Sequence, residues 1–531
     1  MKSNSYTEST PYKWDPTPVR VPLPIYPPPE PLPHPLPALP SPPRKPIFSS
    51  SYTLTTHLFP ACYLRSTRPV PVPAPPPPGV SKEERKRILK ETKAELDRLR
   101  SVKETDGYPR VLWNCVNRYV KDGKQNGTGI TLFFAHANGF PKEIFEPTLG
   151  HLLSSPVSSV IDEVWVWESI QHGDAAVVNA ASASGLFDWQ DNGRDIANFL
   201  LHFMPSSATA STLPTHLSRV SQECTERRAC DGFAARKLVA AGHSYGGCTS
   251  ALAAILYPSL FTALYLIDPV ILRPGPVPPL PADMPPSSDL ALGALSRRDG
   301  WGSREEALAS FSQNPFFKAW DPAVLKVYVE CGTHFVSEPE PEPAPSSSLL
   351  PQPMADKKKT LKLKMPGVLE ASVFAEVHTE KEVFHLLGWG GFEGLSASRS
   401  SSSLSASSSG SSSPNANEKK QKKTIDDVPI RWCVPGKPGA RELRDEIGGT
   451  RERVWVRSMR AHWAESGAGA GVRDTNVRIL GGGHLIPQEA PKELAEDLGE
   501  YIQELSSSGP SSLFSPPPMP GPQHVVFKAS L

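Results

Sequence analysis

The sequence feature that most restricts the fold lies at residues 238–247, LVAAGHSYGG. Leu238–Ala241 has the continuous apolar pattern of a buried strand, and Gly247–Leu256 has the pattern of a helix. Between them, Gly242–Gly246 reads Gly-His-Ser-Tyr-Gly. Glycine lets the backbone reverse sharply, so this pattern predicts a tight strand-to-helix turn that exposes the Ser244 hydroxyl beside a helix N-terminus. A serine held in this way is a candidate nucleophile, although five residues alone also fit a structural turn.

Strand and helix patterns alternate along the chain on both sides of this turn. Strands are predicted at residues 130–135, 163–167, 261–267, 429–434 and 477–480, with a further strand pair at 48–65 and β-like alternation at 361–375. Helices are predicted at residues 82–100, after the cap Asp191-Asn192, and from Pro491. Such alternation predicts an α/β fold with a mostly parallel central sheet and helices on both faces.

Low-complexity segments interrupt the predicted domain. Proline accounts for 60 of the 531 residues, which is about twice its usual share. We expect a disordered, proline-rich tail at residues 1–45, because proline runs hold the backbone extended and solvated. Acidic-proline and serine-lysine insertions, at about 336–358 and 396–424, are expected to be disordered, as is the tail 506–531. The domain is therefore expected to span residues 46–505.

Composition restricts the possible partners and the compartment. The net charge is +1, which gives no indication of a nucleic-acid surface or an anionic membrane surface. The seven cysteines are scattered without metal-ligand spacing, so we expect reduced thiols and no metal. The N-terminus lacks the apolar core of a signal peptide, and the apolar stretch Ala251–Leu272 is better explained as a helix and a strand than as a membrane span. We expect a cytoplasmic protein that is not secreted, with the peroxisome as an alternative. The final tripeptide Ala529-Ser530-Leu531 is similar to a peroxisomal address, but it lacks the basic middle residue, so chance explains it better.

A nucleophilic serine needs a histidine base whose tautomer is fixed by a carboxylate. His484 follows a late strand in a glycine-rich loop and precedes the closing helix, in the chain order expected for a strand-to-helix nucleophile turn. His462 and His378 are the alternatives. Each lies in a more highly charged segment.

The carboxylate is predicted from strand order. Asp268 ends the strand that follows the helix of the nucleophile turn, whereas the strand 429–434 is followed by no acid until Glu442. Neighbouring parallel strands lie roughly 4.8 Å apart and direct their carboxyl ends to one crevice, so Asp268 can reach the far nitrogen of His484. We therefore predict Asp268 as the acid, with Glu442 or Asp445 as the alternative.

The negative charge that develops on the substrate oxygen requires hydrogen-bond donors. The backbone N–H of Tyr245, directly after the serine, is predicted as one donor. The backbone N–H of Asn138, in the turn that follows the strand 130–135, is predicted as the second. A tight turn without a ligand role is the alternative for this segment, and His243 could either support the site or simply fill space.

Several motifs together resemble a known superfamily. They are FFAHANGFPKEIFEPTL (133–149), AAGHSYGG (240–247), LYLIDPV (264–270), the segment 303–332 around NPFFKAWDP, and GGGHLIPQEAP (481–491). With these motifs the chain resembles the α/β-hydrolases and, more narrowly, the fungal toxin-biosynthesis hydrolases. The resemblance implies a serine-histidine-aspartate mechanism with the acid at Asp268. It also implies a lid over the site at about 272–330, and acyl esters or thioesters such as acyl-CoA as substrates.

The sequence thus predicts a serine hydrolase that forms an acyl-serine intermediate and uses no cofactor. Phe140, Trp301, Phe316 and Phe317 are candidates for an apolar acyl pocket, with core packing as the alternative for each. An interaction protein is the alternative function, in which an inactive hydrolase-like domain recruits SH3- or WW-type partners through its proline-rich and serine-rich segments.

Overall fold

The structure, a computed structural model, describes ten stretches of the chain, and its helices and strands are those of these residues alone. They are residues 18–48, 51–77, 79–100, 107–123, 129–209, 212–272, 290–337, 359–392, 423–437 and 474–507.

The core is an eight-stranded sheet in the order β1-β2-β4-β3-β5-β6-β10-β11. The strands are β1 Tyr52–Pro60, β2 Trp113–Lys121, β3 Ile130–Ala135, β4 Ile161–Glu168, β5 Lys237–His243, β6 Ala263–Ile267, β10 Ile430–Pro435 and β11 Thr475–Ile479. The pairs β1–β2 and β2–β4 are antiparallel, and every later pair is parallel. A second, three-stranded antiparallel sheet has the order β7-β9-β8, with β7 Gly300–Trp301, β8 Thr333–Ser337 and β9 Lys359–Leu363.

Helices cover both faces of the main sheet. They are α1 Lys82–Arg100, α2 Glu146–Leu153, α3 Gly173–Val178, α4 Trp189–Asn198, α5 Gln222–Asp231, α6 Tyr245–Leu256, α7 Leu290–Ser296, α8 Arg304–Gln313, α9 Pro315–Lys318, α10 Pro322–Gly332, α11 Gly367–Phe374, α12 Thr379–Trp389, α13 Ile486–Glu489 and α14 Pro491–Ser507. Side chains of β5 alternate between two buried clusters, with Leu238 and Ala240 on the face of α4 and α6. Val239 and Ala241 lie on the face of α2 and α14. The expected α/β fold, with a mostly parallel central sheet and helices on both faces, is confirmed.

The register of the parallel strands brings their carboxyl ends to one edge. Ala135 of β3 pairs with Gly242 of β5, and His243 of β5 pairs with Ile267 of β6. Ile267 also pairs with Cys433 of β10. Residues that directly follow these strands therefore meet at the same edge of the sheet.

A folded insertion separates β6 from β10. Its described part comprises α7–α12 and the small sheet, and it continues to Trp389, beyond the limit of about 330 expected for the lid. Of the predicted β-like segment 361–375, only residues 361–363 belong to a strand, β9. The segment then turns into helix α11, whose N-cap is Pro366. The two predicted insertions at about 336–358 and 396–424 lie almost entirely outside the described residues, as does the C-terminal tail from residue 508.

The N-terminal segment (residues 18–48) differs from the expected solvated tail. It has almost no regular secondary structure, but it lies along the domain. The Arg20 guanidinium contacts Asp188 at 2.6 Å and Glu382 at 2.7 Å, and the buried Arg194 donates to the carbonyls of Leu23 and Pro24. An extended proline-rich segment forms no hydrogen bonds within its own backbone, so its carbonyl oxygens are available to accept hydrogen bonds from buried arginines.

Other expectations for the N-terminal half need smaller corrections. Residues 48–65 hold a single strand, β1, whose partner is the distant β2. Helix α4 is capped by Asp188, which accepts from the Gln190 amide, and not by Asp191.

None of the helices in the described ranges has the length and hydropathy needed to cross a membrane. All seven cysteines are free thiols.

Candidate active site

Ser244 lies at the turn between β5 and α6, as the sequence predicted. Its backbone has φ 55° and ψ −120°, a conformation that non-glycine residues rarely adopt. The turn is fixed by two hydrogen bonds to the neighbouring strand end: the Ser244 amide donates to Ile267 O at 2.9 Å, and the Val270 amide donates to Ser244 O at 3.0 Å. The side chain is directed by this strained backbone and not by a flexible loop.

The two glycines of the motif allow the turn to approach its neighbours. A Cβ at Gly246 would lie 2.4 Å from His136 O and 2.5 Å from Ala135 O. A Cβ at Gly242 would lie 2.5 Å from Gly246 O. The helix therefore begins directly against the end of β3, and only glycine fits there.

Asp268 follows β6 and is nearly inaccessible, with 1% of its surface exposed. Its amide donates to Cys433 O of β10 at 2.7 Å, and its φ is 34°, again in the left-handed region. The carboxylate oxygen Oδ2 lies 2.6 Å from His484 Nδ1. A buried acid in this position holds the imidazole in one orientation.

His484 lies between this acid and the serine. Its Nε2 is 3.0 Å from Ser244 Oγ, and its side chain is 27% exposed. The loop before it is held by α13 and α14, because the Gly483 amide donates to Glu489 and the Gly481 amide donates to Glu493. The imidazole thus contacts both partners while one edge remains open to solvent.

The structure therefore brings Ser244, His484 and Asp268 together, as the sequence predicted. The alternative acids and His462 fall outside the described residues. His378 caps the start of α12, where its amide donates to Glu376.

His243, whose role the sequence left open, supports the loop of His484. Its Nε2 lies 2.9 Å from the carbonyl oxygen of His484. Burial lowers the pKa of His243 to about 3, so the ring is neutral and its Nε2–H donates this hydrogen bond. His243 consequently binds the backbone of His484 without adding a charge beside it.

The turn after β3 carries the second predicted donor, Asn138. Its side chain is engaged at both ends, by Glu370 O and by His172 Nε2. The other predicted donor residue, Tyr245, has a buried side chain whose hydroxyl donates to Ser169 Oγ at 3.0 Å. Sequence reasoning did not single out Ser169, His172 or Glu370. Ser169 and His172 closely follow the carboxyl end of β4, and that position was the available signal.

One group among the described residues has the donor atoms of a metal site. Atoms of Cys115, Glu168 and Asp174 lie within 4.8 Å of one another. The Lys142 ammonium already lies 3.2 Å from Glu168 and 2.8 Å from Asp174. The lysine thus provides the positive charge that these carboxylates need, and the group is best described as a buried ion cluster.

Comparison with known proteins gives partial sequence matches. No family model matches the chain. The protein named Type I acyl-CoA thioesterase mpaH, from Penicillium roqueforti, is 29% identical over 201 residues, which cover 38% of this chain and 39% of that protein. Peroxisomal membrane protein LPX1 of Saccharomyces cerevisiae is 27% identical over 205 residues, covering 36% of this chain and 46% of that one. The chain spans about two fifths of the length of the thioesterase relatives it matches.

The structural comparison extends further along the chain. The crystal structure of the peroxisomal α/β-hydrolase Lpx1 from Saccharomyces cerevisiae aligns with a TM-score of 0.50 and 15% identity, covering 87% of this chain and 92% of that one. An identity this low indicates a shared fold only. The sheet order, the strained serine turn and the alignment with Lpx1 define one class of fold: the chain has the α/β-hydrolase fold.

Proposed function

We propose that this protein is a serine hydrolase that cleaves an acyl ester or thioester with Ser244 as nucleophile, His484 as base and Asp268 as orienting acid. The observation that carries the proposal is the continuous pair of hydrogen bonds from Ser244 Oγ to His484 Nε2, at 3.0 Å, and from His484 Nδ1 to Asp268, at 2.6 Å. This geometry is what activation of a serine hydroxyl requires.

The proposed reaction has two stages. His484 Nε2 accepts the proton of Ser244 Oγ as the oxygen attacks the substrate carbonyl carbon, and Asp268 stabilises the resulting imidazolium. The amides of Tyr245 and Asn138 bind the oxyanion. His484 then donates the proton to the leaving alkoxide or thiolate as the acyl-serine forms. In the second stage, a water molecule loses a proton to His484 Nε2 as it attacks the carbonyl carbon of the acyl-serine. The bond between this carbon and Ser244 Oγ then breaks, and His484 returns the proton to Ser244 Oγ as the acid leaves.

Aromatic side chains beside the Asn138 turn favour a substrate whose acyl group is apolar. The ring of Phe140 lies 5.5 Å from Trp320 and 6.0 Å from Tyr328, both from the insertion after β6. Phe140 and Trp301 are buried, whereas Phe316 is 54% exposed.

The names of the thioesterase relatives add support for a thioester as substrate. The yeast relative is named a peroxisomal protein, so we propose the peroxisome, together with the cytoplasm, as a compartment in which to look for this protein.

Labelling with a fluorophosphonate probe tests the proposed nucleophile. We expect the full-length protein to be labelled and to hydrolyse p-nitrophenyl esters or acyl-CoAs from a panel of graded chain length. The Ser244→Ala variant should lose both properties. Ser250→Ala is the matched control, because Ser250 is a buried serine in helix α6, which follows Ser244; this variant should behave like the wild type.

A folded wild-type protein that neither reacts with the probe nor hydrolyses any member of the panel would overturn the proposal. That outcome would favour the alternative of an interaction protein. The comparisons give no support to SH3- or WW-type partners, and the carbonyls of Pro24 and Pro28 are already bound by Arg194 and Arg219.

A further inference from the structure

The side chain of Asn138 is fixed at both ends of its carboxamide. Its Nδ2 lies 3.1 Å from the backbone oxygen of Glu370, and its Oδ1 lies 3.1 Å from His172 Nε2. A backbone oxygen can only accept a hydrogen bond, so the NH₂ group must face Glu370 and the oxygen must face His172. His172 Nε2 is therefore the donor in the second hydrogen bond.

The protonation of His172 agrees with this assignment. The residue is completely buried, and burial lowers its pKa well below the ordinary value for histidine. A neutral imidazole carries one hydrogen, and here the hydrogen is on Nε2. The hydrogen bond to Asn138 thus persists at every pH at which the ring remains neutral.

The same ring also contacts the residue after the nucleophile. His172 stacks on Tyr245, with 5.9 Å between ring centroids and 17° between planes. The Tyr245 hydroxyl is in turn held by Ser169 Oγ. His172 consequently touches the side chains of both residues whose backbone amides are the proposed oxyanion donors.

A second buried histidine fixes the start of the turn with the opposite tautomer. His136 Nε2 accepts from the Ser169 amide at 3.1 Å, so its hydrogen is on Nδ1, which donates to Ala137 O at 2.8 Å. The rings of His136 and His172 lie 4.5 Å apart. The turn from 136 to 138 is therefore tied to the end of β4 at two points.

We propose that His172 is a positioning residue of the oxyanion hole: it holds the Asn138 turn against Tyr245, so that the two backbone amides converge on one point. The inference rests on the proposed function, because an oxyanion forms only if Ser244 attacks a carbonyl. Misplacing a reacting group by about 1 Å can cost on the order of 10²-fold in rate, so the effect should appear in kcat.

Two substitutions separate the two contacts of His172. His172→Phe keeps a ring over Tyr245 and removes the N–H, so we expect kcat for a p-nitrophenyl ester to fall by about 10- to 100-fold while KM changes by less than about threefold. His172→Gln places an amide N–H where Nε2–H was and should recover kcat to within about fivefold of wild type.

A third substitution tests the proposal from the other side of the hydrogen bond. Asn138→Ala retains the backbone N–H proposed as the donor and loses only the anchoring carboxamide. We expect a fall in kcat similar to that of His172→Phe, and little further loss in the double variant, because both substitutions remove the same hydrogen bond.

His57→Phe is the matched control. His57 is also buried and also has its pKa lowered by burial, but it lies on β1, where it bonds to Thr55 and Pro214. This variant should lose thermal stability and keep its kcat. The measurements are kcat, KM and the melting temperature of each full-length variant.

Each outcome has a definite meaning. Wild-type kcat in folded His172→Phe or in Asn138→Ala would overturn the inference alone. If the kcat of His172→Gln does not exceed that of His172→Phe, His172 acts only as a packing residue. If His172→Phe does not fold, His172→Gln and Asn138→Ala decide the question in the same way. A wild-type protein without turnover or probe labelling would overturn the proposed function and this inference together.

Discussion

The close approach of helix α6 to strand β3 can be tested at Gly246. An alanine Cβ there would lie 2.4 Å from His136 O and 2.5 Å from Ala135 O, whereas Cβ atoms essentially never approach within 3.0 Å of another heavy atom in this way. Both contacting atoms belong to the backbone, so no side chain can rotate aside. In Gly246→Ala the helix and the strand end must separate by at least about 0.6 Å.

The displacement acts directly on the proposed oxyanion hole, since α6 carries Tyr245 and the β3 turn carries Asn138. A misplacement of about 1 Å can cost on the order of 10²-fold, so we expect kcat to fall by roughly 10- to 100-fold. Overpacking of this kind should also lower the free energy of unfolding by about 1–3 kcal/mol.

Gly499→Ala provides the control for an added methyl group. Gly499 lies within α14, where a Cβ would meet Val157 at 3.6 Å and Leu152 at 3.7 Å, both ordinary contacts. This variant should keep its kcat and gain up to about 1 kcal/mol of stability from helix propensity. Ester hydrolysis and urea unfolding of both variants provide the two measurements. A Gly246→Ala protein with wild-type kcat and stability would refute the argument.

Two further predictions concern the proposed acid and the buried histidines. Asp268→Asn should lower kcat by on the order of 10⁴-fold, because an amide stabilises the wrong tautomer of His484. In the same ester assay, Glu442→Gln should keep a kcat near that of the wild type. The reverse result would make Glu442 the acid. Burial lowers the pKa of His57 to about 4, so its stability contribution is intact above about pH 6.5 and is lost as the pH falls towards 4, since only the unfolded chain is protonated in that window. From pH 7 to pH 5 the free energy of unfolding of the wild type should fall by about 2 kcal/mol because of this histidine. In urea unfolding, the stability of His57→Gln should therefore depend less on pH than that of the wild type. An equal dependence on pH in both proteins would contradict this prediction.

The parts of the fold that depend on local pattern could be predicted from the sequence. β3 was predicted with its observed bounds, because a strand covered on both faces is a continuous apolar run. The turn at Ser244 was predicted because the glycines around this serine let the backbone reverse sharply between a strand pattern and a helix pattern. The proximity of Asp268 and His484 followed from strand order, since consecutive parallel strands end at one edge.

The parts that depend on distant contacts could not be predicted. Asp188 and Asp191 are equally suitable caps by residue type, and Asp191 is instead bound by Arg194 and by Arg65, which lies in a different part of the chain. His172 belongs to a polar segment with no motif of its own. Its function-related contacts arise only when the ends of β3 and β4 are adjacent.

The N-terminal segment has a practical consequence for the boundaries of the domain. A protein shortened to begin at residue 46, where proline enrichment gives way to the first strand, would lack Arg20. Its guanidinium group bridges Asp188, the cap of α4, and Glu382 on α12, with Glu376 of the loop before α12 3.5 Å away. Without that cation, these three buried carboxylates would repel one another or take up protons. The smallest version of this hydrolase-fold domain that keeps its charges balanced therefore begins before Arg20, inside sequence that composition alone would discard.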